Sequence, residues 1–228
     1  MNDVDLTLHG PGNAGGTQST LPRLAMMVLI GAIVIAMMLP SDPAISAIVG
    51  SFAYPGSLFR KVLNASNYLF NWWTYAIIAG LLLIDTRRYK LLTGYAMACL
   101  GCLVTVHALK FLVGRARPDK VLGALYFDWL GDPRLGFDSF PSGHAASAFL
   151  LTFLLNLYLP RSAWIFAPAA TLVALSRVAL ERHFATDILS GAGIAFLWVQ
   201  ACTKFLGHDR FPALRSARAS APIDDSLP

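Results

Sequence analysis

The sequence has few charged residues and few cysteines. Asp, Glu, Lys and Arg make up only 14% of its 228 residues, whereas 56% are hydrophobic. This composition is too apolar for an ordinary soluble domain and is typical of an integral membrane protein. The three cysteines, Cys99, Cys102 and Cys202, all fall inside apolar runs, where we expect them to be packing residues. The sequence therefore predicts no disulfide framework.

A continuous basic surface is also missing. The 18 Lys and Arg residues give a net charge of +5, but they are scattered through loops and helix ends. Proteins that bind nucleic acid usually concentrate such residues on one face. We therefore predict no nucleic-acid partner, and the sequence indicates no obligate protein partner.

Six apolar runs are about long enough to cross the hydrocarbon core of a bilayer, which is about 30 Å thick. Each run is bordered by charged residues such as Asp, or by Gly or Pro. The predicted fold class is therefore all-α, a polytopic membrane protein with six transmembrane helices. The runs cover approximately residues 22–40, 67–85, 91–113, 143–159, 162–180 and 188–206.

Both ends of the chain are polar. Residues 1–21 form a Gly-rich leader and residues 207–228 a small, Pro-containing tail, and both are predicted to be disordered. The membrane domain then spans residues 22–206. The first apolar run also resembles the core of a cleaved secretory signal, but the weak basic region before it favours a retained helix.

The positive charges predict the orientation. With six spans, both termini lie on the side that carries more Lys and Arg, which is cytoplasmic by the positive-inside rule. Residues 41–66, 114–142 and 181–187 then lie on the extracytoplasmic side. Of these, residues 41–66 are expected either to follow the membrane interface or to form an ordinary connecting loop. We predict a multi-pass protein of the plasma (inner) membrane.

Ionisable residues gather at four helix ends on the extracytoplasmic side. At membrane depth each costs about 2.5–3.5 kcal/mol, so each is a functional hypothesis. Three cations close together repel one another unless the site binds a multiply charged anion, and phosphate fits best. The residues in question are Lys110, Arg117, His144, Arg177, His183 and Asp187.

The start of the fourth run adds backbone donors to this site. The N–H groups of Ser142, Gly143 and His144 at a helix start are expected to bind phosphate, with help from the helix dipole. Gly143 also lets the backbone approach an anion closely.

The two histidines indicate catalysis as well as binding. If residues 183–187 begin to wind as a helix, His183 and Asp187 share one face, so that the carboxylate can hold one imidazole nitrogen. The other nitrogen of His183 can then attack phosphorus, while His144 protonates the leaving oxygen. The phosphoryl group would pass to His183 and then to water.

Three short motifs contain these residues in order. They are K-x6-RP from Lys110 to Pro118, PSGH from Pro141 to His144, and SR-x5-H-x3-D from Ser176 to Asp187. Together they resemble the complete three-part signature of the type 2 phosphatidic acid phosphatase family.

The resemblance implies a metal-independent lipid phosphatase that needs no cofactor. It also implies that His144 is the acid and that His183 forms a phosphohistidine with help from Asp187. The implied phosphate-binding residues are Lys110, Arg117, Ser142, Gly143 and Arg177. In the long loop, Asp128, Asp132 and Asp138 show no metal-ligand spacing with a His, which agrees with an enzyme that needs no metal.

The position of the site favours a lipid substrate. A site at headgroup depth suits a phosphate or diphosphate whose tail stays in the bilayer. The resemblance makes phosphatidate, phosphatidylglycerophosphate, undecaprenyl diphosphate and lipid A phosphates candidates. The choice among them is expected to lie in the loop that covers the site, through Arg115, Lys120, Tyr126, Phe127, Trp129 and Arg134.

Several assignments stay open at this point. A phosphotransferase that passes the phosphoryl group to a lipid or sugar alcohol is one alternative, and an anion transporter is another. His107 is either a packing residue or a support for Lys110. Glu181 and Arg182 are interpreted as surface charges.

Overall fold

The computed structural model describes residues 20–68, 89–159 and 161–206. Within these ranges the chain is helical and contains no strand, apart from one isolated antiparallel bridge between Arg115 and Phe127. The predicted leader before Thr20, the predicted tail and the second apolar run beyond Tyr68 lie outside the described residues.

The described residues form seven α-helices. Five of them correspond to predicted apolar runs, and the largest shift is in the last helix, which begins three residues before the predicted position 188. The helices are α1 (Thr20–Met38), α2 (Asp42–Ser51), α3 (Leu58–Ser66), α4 (Tyr89–Val113), α5 (Gly143–Tyr158), α6 (Ala163–Ala179) and α7 (Ala185–Leu206).

Three helical stretches of the described chain are long and apolar enough to cross a membrane. They are Ala25–Ser51, which joins α1 to α2 through a short 3-10 turn, Leu92–Val113 in α4, and Ala185–Leu206 in α7. The helices α5 and α6 are apolar but shorter. Length and composition thus support three of the six predicted spans.

The core of the bundle lies between α4, α5 and α7. Val106, Leu150, Leu154 and Val199 are buried in one apolar cluster there. Small residues allow close packing, since a Cβ added at Gly101 of α4 would lie 2.4 Å from the Trp198 ring of α7. The helix α5 also packs on α6. This packing brings the ends of four helices together.

Residues 41–66, which were expected to follow the membrane interface or to form a connecting loop, contain two helices, α2 and α3. Both α2 and α3 pack against α6, and Ala53, Leu63, Ala179 and Leu180 form a small apolar cluster between them. The side chain of Ser57 caps α3 by accepting a bond from the N–H of Arg60. These helices therefore lie against the same end of the bundle that carries the site.

Candidate active site

The predicted helix ends meet at one end of the bundle. Here α4 and α6 end, while α5 and α7 begin. The N–H of Ser142 donates to the carbonyl oxygen of Asp187 at 3.0 Å, which ties the start of α5 to α7. Gly191 makes this approach possible, because a Cβ there would lie 2.5 Å from the Ser142 carbonyl oxygen.

His183 lies at the centre of the site and is only 2% exposed. Its Nδ1 atom is 2.7 Å from the carbonyl oxygen of Ser139. A carbonyl oxygen can only accept, so Nδ1 must carry the proton. In the neutral ring Nε2 then has a free lone pair.

The surroundings keep His183 neutral. Burial lowers the pKa of His183 well below its usual value of 6.5, and the nearby positive charges of Lys110 and Arg177 lower this pKa further. The bond to Ser139 opposes the shift but is the weaker effect. An imidazole in this state can act as a nucleophile at neutral pH.

Asp187 does not hold His183 directly. Its nearest carboxylate oxygen is 3.9 Å from His183 Nδ1, which is too far for a hydrogen bond. The same oxygen accepts from the Ser139 hydroxyl at 2.6 Å and from the N–H of Phe184 at 2.8 Å. The expected His183–Asp187 hydrogen bond is therefore corrected: α7 begins only at Ala185, and Asp187 acts on Ser139, which in turn holds His183.

Asp187 also belongs to a buried ionic network. The guanidinium of Arg115 is 2.6 Å from Asp187 and 2.7 Å from Asp42, and all three side chains are fully buried. Thr186 accepts from Arg115 at 2.7 Å and also bonds to Asp42. The ring of Phe184 lies 4.4 Å from the guanidinium carbon, within cation–π range. Arg115 therefore lies inside the fold, and the expectation that it covers the site is corrected.

Lys110 and Arg117 converge on one carboxylate. The Nε and Nη2 atoms of Arg117 are 2.7 and 2.8 Å from the two carboxylate oxygens of Asp138. Lys110 Nζ is 3.6 Å from the same carboxylate and donates to the backbone carbonyl of Asp138. A fork of this kind also fits two phosphate oxygens. Asp138 thus holds the two cations that are predicted to bind phosphate.

Arg177 is held from two directions. Its guanidinium donates to the Asn67 side-chain oxygen at 3.3 Å. Its carbonyl oxygen accepts from the N–H groups of Arg182 and His183 at 2.9 and 3.2 Å, which closes the turn between α6 and α7. Glu181 has a positive φ of 56° in this turn. The turn therefore fixes Arg177 and His183 relative to each other.

The start of α5 differs in part from its predicted role. Ser142 is buried, its hydroxyl caps α5, and its N–H bonds to Asp187, so this N–H is not available to phosphate as expected. The N–H groups of Gly143 and His144 have no acceptor within the described part of the chain. The His144 side chain is exposed. The positive charges of Lys110, Arg117 and Arg177 interact electrostatically with the imidazole rings of both His144 and His183.

A comparison of the sequence with protein-family profiles identifies the family. The sequence profile of the PAP2 superfamily matches residues 89–210, which is more than half of the chain. The chain belongs to the PAP2 superfamily. The family predicted from the three motifs is thereby confirmed.

Individual relatives of this PAP2 chain include two lipid A 1-phosphatases. The Porphyromonas gingivalis protein is 34% identical over 105 residues, which cover 44% of the chain and 20% of that protein. The Rhizobium etli protein is 30% identical over 127 residues, which cover 52% of the chain and 54% of that protein. The chain thus spans about half, or less, of the length of these relatives.

Two solved structures share the fold of this PAP2 chain. Aquifex aeolicus LpxE superposes with a TM-score of 0.59 at 22% identity, over 72% of this chain and 94% of that one. A transmembrane PAP2 type phosphatidylglycerolphosphate phosphatase from Bacillus subtilis gives 0.56 at 22% identity, over 80% and 94%.

Some residues of the PAP2 site escaped the sequence analysis. Asp42 and Asn67 carry no local signal, because each is recognised only by a partner far away in the chain. For Asp138 and Ser139 the one signal available was their proximity to the PSGH motif. His107, in contrast, is exposed and its Nδ1 is 3.0 Å from the carbonyl of Leu103 in its own helix, so it gives no visible support to Lys110.

The described residues contain no group of three His, Cys, Asp or Glu side chains arranged to hold a metal ion. Cys99, Cys102 and Cys202 are free thiols.

Proposed function

We propose that the chain is an integral membrane lipid phosphatase, which removes phosphate from a lipid phosphomonoester or diphosphate through a phosphohistidine at His183. One observation carries this proposal. The bond from His183 Nδ1 to the Ser139 carbonyl leaves a neutral Nε2 free, in a site where Lys110 and Arg177 supply positive charge. An uncharged nucleophile beside cations is the arrangement that attack on a phosphate dianion requires.

In the first step the phosphate binds to Lys110, Arg117 and Arg177 and to the free N–H groups at the start of α5. It replaces the Asp138 carboxylate as the partner of Lys110 and Arg117. His183 Nε2 attacks phosphorus, the bond to the lipid oxygen breaks, and His144 donates a proton to that oxygen. The cations stabilise the charge on the transferring group.

In the second step His144 takes a proton from water, and the resulting hydroxide attacks the phosphohistidine. The bond between phosphorus and Nε2 breaks, inorganic phosphate leaves, and His183 returns to its neutral form. Throughout the cycle Nδ1 keeps its proton and donates it in a hydrogen bond to the Ser139 carbonyl oxygen. Ser139 in turn donates from its hydroxyl to Asp187 and from its N–H to the Arg115 carbonyl oxygen, and Arg115 pairs with Asp187.

The lipid A 1-phosphatase relatives favour the 1-phosphate of lipid A as the substrate, and phosphatidate, phosphatidylglycerophosphate and undecaprenyl diphosphate are the other candidates. We further propose six membrane spans with both termini in the cytoplasm and the site on the extracytoplasmic side of the inner membrane. A surface position for the site agrees with a lipid whose tail stays in the bilayer.

The test is phosphate release by the purified protein in detergent, with the four lipid classes as substrates and water as the only acceptor. We expect release from at least one class, inhibition by orthovanadate and no effect of EDTA. His183→Gln should abolish release, whereas Lys204→Gln, at an exposed position in the last turn of α7 and far from the site, should leave it unchanged. Release that requires an added alcohol would indicate a transferase, and normal turnover by His183→Gln would refute the mechanism.

A further inference from the structure

An apolar cavity lies between the first apolar stretch of the chain and the long loop. Its volume is about 410 Å³, within the roughly 300–1,000 Å³ of small-molecule sites. One wall consists of Leu39, Pro40 and Pro43, and residues 122–126 of the loop form the other. None of these residues is charged, and none of them belongs to the phosphate site described above. The cavity therefore suits an apolar ligand.

The wall formed by Leu39, Pro40 and Pro43 is part of a stretch that faces lipid. Ala25–Ser51 is long and apolar enough to cross a membrane, and few of its side chains are buried in the bundle. Met37, two residues before this wall, is 75% exposed. In a bilayer such side chains contact the hydrocarbon chains of lipids. The cavity is thus continuous with the surface that the bilayer covers.

The loop wall is also apolar and exposed. Residues 121–127, VLGALYF, contain no charged residue, although charged residues stand on both sides of them. Val121, Leu122 and Leu125 are 90%, 48% and 63% exposed. Val121 also has a φ of 58°, which is rare for a β-branched residue. An apolar surface of this kind is typical of a contact with a membrane or another apolar partner.

One guanidinium holds both walls of the cavity. Arg115 Nε donates to the carbonyl oxygen of Ala124 in the loop wall at 2.9 Å. The same guanidinium is 2.7 Å from Asp42, the residue before Pro43 in the opposite wall. Arg115 also pairs with Asp187 at 2.6 Å. Packing inside the cavity is therefore connected to the buried network of the proposed active site.

We propose that this cavity binds a hydrocarbon chain of a bilayer phospholipid that is not the substrate. The walls carry no charge, and one of them belongs to the lipid-facing stretch, so the occupant is a lipid chain. The contacts that connect the cavity to His183 run through three buried side chains, those of Arg115, Asp187 and Ser139. The cavity is therefore assigned to a lipid other than the one whose phosphate lies at His183.

The bound chain has a structural consequence for the site. It packs Leu122 and Leu125 against the end of α1, so the Ala124 carbonyl and Asp42 stay in place around Arg115. The binding itself does not depend on the proposed function, whereas its effect on turnover does.

Photochemical labelling tests the binding. The full chain is placed in nanodiscs with phosphatidylcholine that carries a photoreactive group in its acyl chain and, as a phosphodiester, is not a substrate of the proposed reaction. We expect label on residues 121–126, and about tenfold less label there in Leu122→Gln/Leu125→Gln. Leu122→Met/Leu125→Met should keep the label, as should Leu135→Gln, an exposed position of the same loop outside the cavity.

Two results of this labelling would overturn the proposal. One is the absence of label on residues 121–126. The other is stronger competition by unlabelled phosphatidate than by unlabelled phosphatidylcholine, which would assign the cavity to the chain of a substrate. Equal competition by the two lipids is the expected result, because both supply the same acyl chains.

Turnover in the same nanodiscs tests the effect on the site. Leu122→Gln/Leu125→Gln should lower kcat by about five- to tenfold and change KM by less than about twofold, because Arg115 acts on Ser139 and not on the phosphate-binding cations. The methionine variant should retain kcat. An unchanged kcat, or a loss confined to KM, would overturn this effect. If the unmodified chain released no phosphate but was labelled as expected, the phosphatase function would fail and the lipid site would stand.

Discussion

At the scale of single residues, the state of His183 is determined by one backbone carbonyl. The Ser139 carbonyl oxygen accepts a hydrogen bond from His183 Nδ1 at 2.7 Å, and the Ser139 hydroxyl donates to Asp187. The proposed nucleophile, His183, is thus oriented by a backbone carbonyl, and the Asp187 carboxylate acts on it only through Ser139. This arrangement makes the tautomer of His183 a measurable property.

We predict that His183 is neutral and protonated on Nδ1 even at about pH 6, below the ordinary pKa of histidine. The lowered pKa means that the neutral form persists as the pH falls through 6.5. Nitrogen NMR of histidine-labelled protein measures both ring nitrogens, and His183→Gln assigns the signal. An imidazolium signal at pH 6, or a proton on Nε2, would contradict the account.

The motifs in the sequence predicted which residues form the site but not all of their partners. Lys110, Arg117 and Arg177 carry a local pattern, whereas Asp42 is 73 residues away from Arg115 and lies outside all three motifs. The predicted hydrogen bond between His183 and Asp187 required a helix that begins at residue 183. In the structure this helix begins at Ala185, and His183 Nδ1 bonds to the Ser139 carbonyl oxygen instead. Hydrogen bonds that form when distant segments pack together cannot be predicted from the spacing of residues within a motif.

At the scale of helices, the contact between α5 and α7 ties the start of α5, which carries His144, to the first turns of α7. Gly191 contacts the first turn of α5, whereas Gly193 has no atom within 4 Å of an added Cβ. Hydrophobic runs predicted both helices, but nothing in their composition predicted which glycine lies at the contact.

Gly191→Ala should therefore reduce kcat by about 100-fold, because its Cβ would push the Ser142 carbonyl away and displace His144. The matched control, Gly193→Ala in the same helix, should retain activity and stabilise the helix by about 0.5–1 kcal/mol. Phosphate release and thermal unfolding measure the two effects. Equal activity in the two variants would show that the contact does not position the site.

The Asp42–Arg115–Asp187 network joins α2, the long loop and α7. Arg115→Met leaves two buried carboxylates without their cation, which should lower the free energy of unfolding by about 3–5 kcal/mol. Arg134→Gln in the same loop should change it by less than about 0.5 kcal/mol. Denaturant unfolding in detergent is the measurement, and similar stability of both variants would show that the network is not structural.

At the scale of the whole molecule, four helix ends deliver the site to one surface of the bundle. The apolar runs predicted five helices that the structure describes, because length and hydropathy are properties of a continuous segment. They did not predict α2 and α3, which pack on α6 and, for α2, also on α7. The number of spans and the orientation stay predictions from charge.

The predicted orientation places both termini in the cytoplasm. A fluorescent protein fused after Pro228 should therefore fold and fluoresce, whereas alkaline phosphatase at the same position should stay inactive, because it needs the oxidising periplasm. The opposite fusion, with alkaline phosphatase inserted in the loop after Lys120, should be active. An active alkaline phosphatase at the C-terminus would reverse the orientation.

The most direct test of the central claim is to trap the reaction intermediate. The protein is mixed with lipid substrate, quenched in alkali, where phosphohistidine is stable, and analysed by mass spectrometry of its peptides. The account predicts a phosphoryl group on His183 that is lost in acid and is absent from His183→Gln. A phosphoryl group on another residue, or full turnover without any phosphorylated peptide, would contradict it.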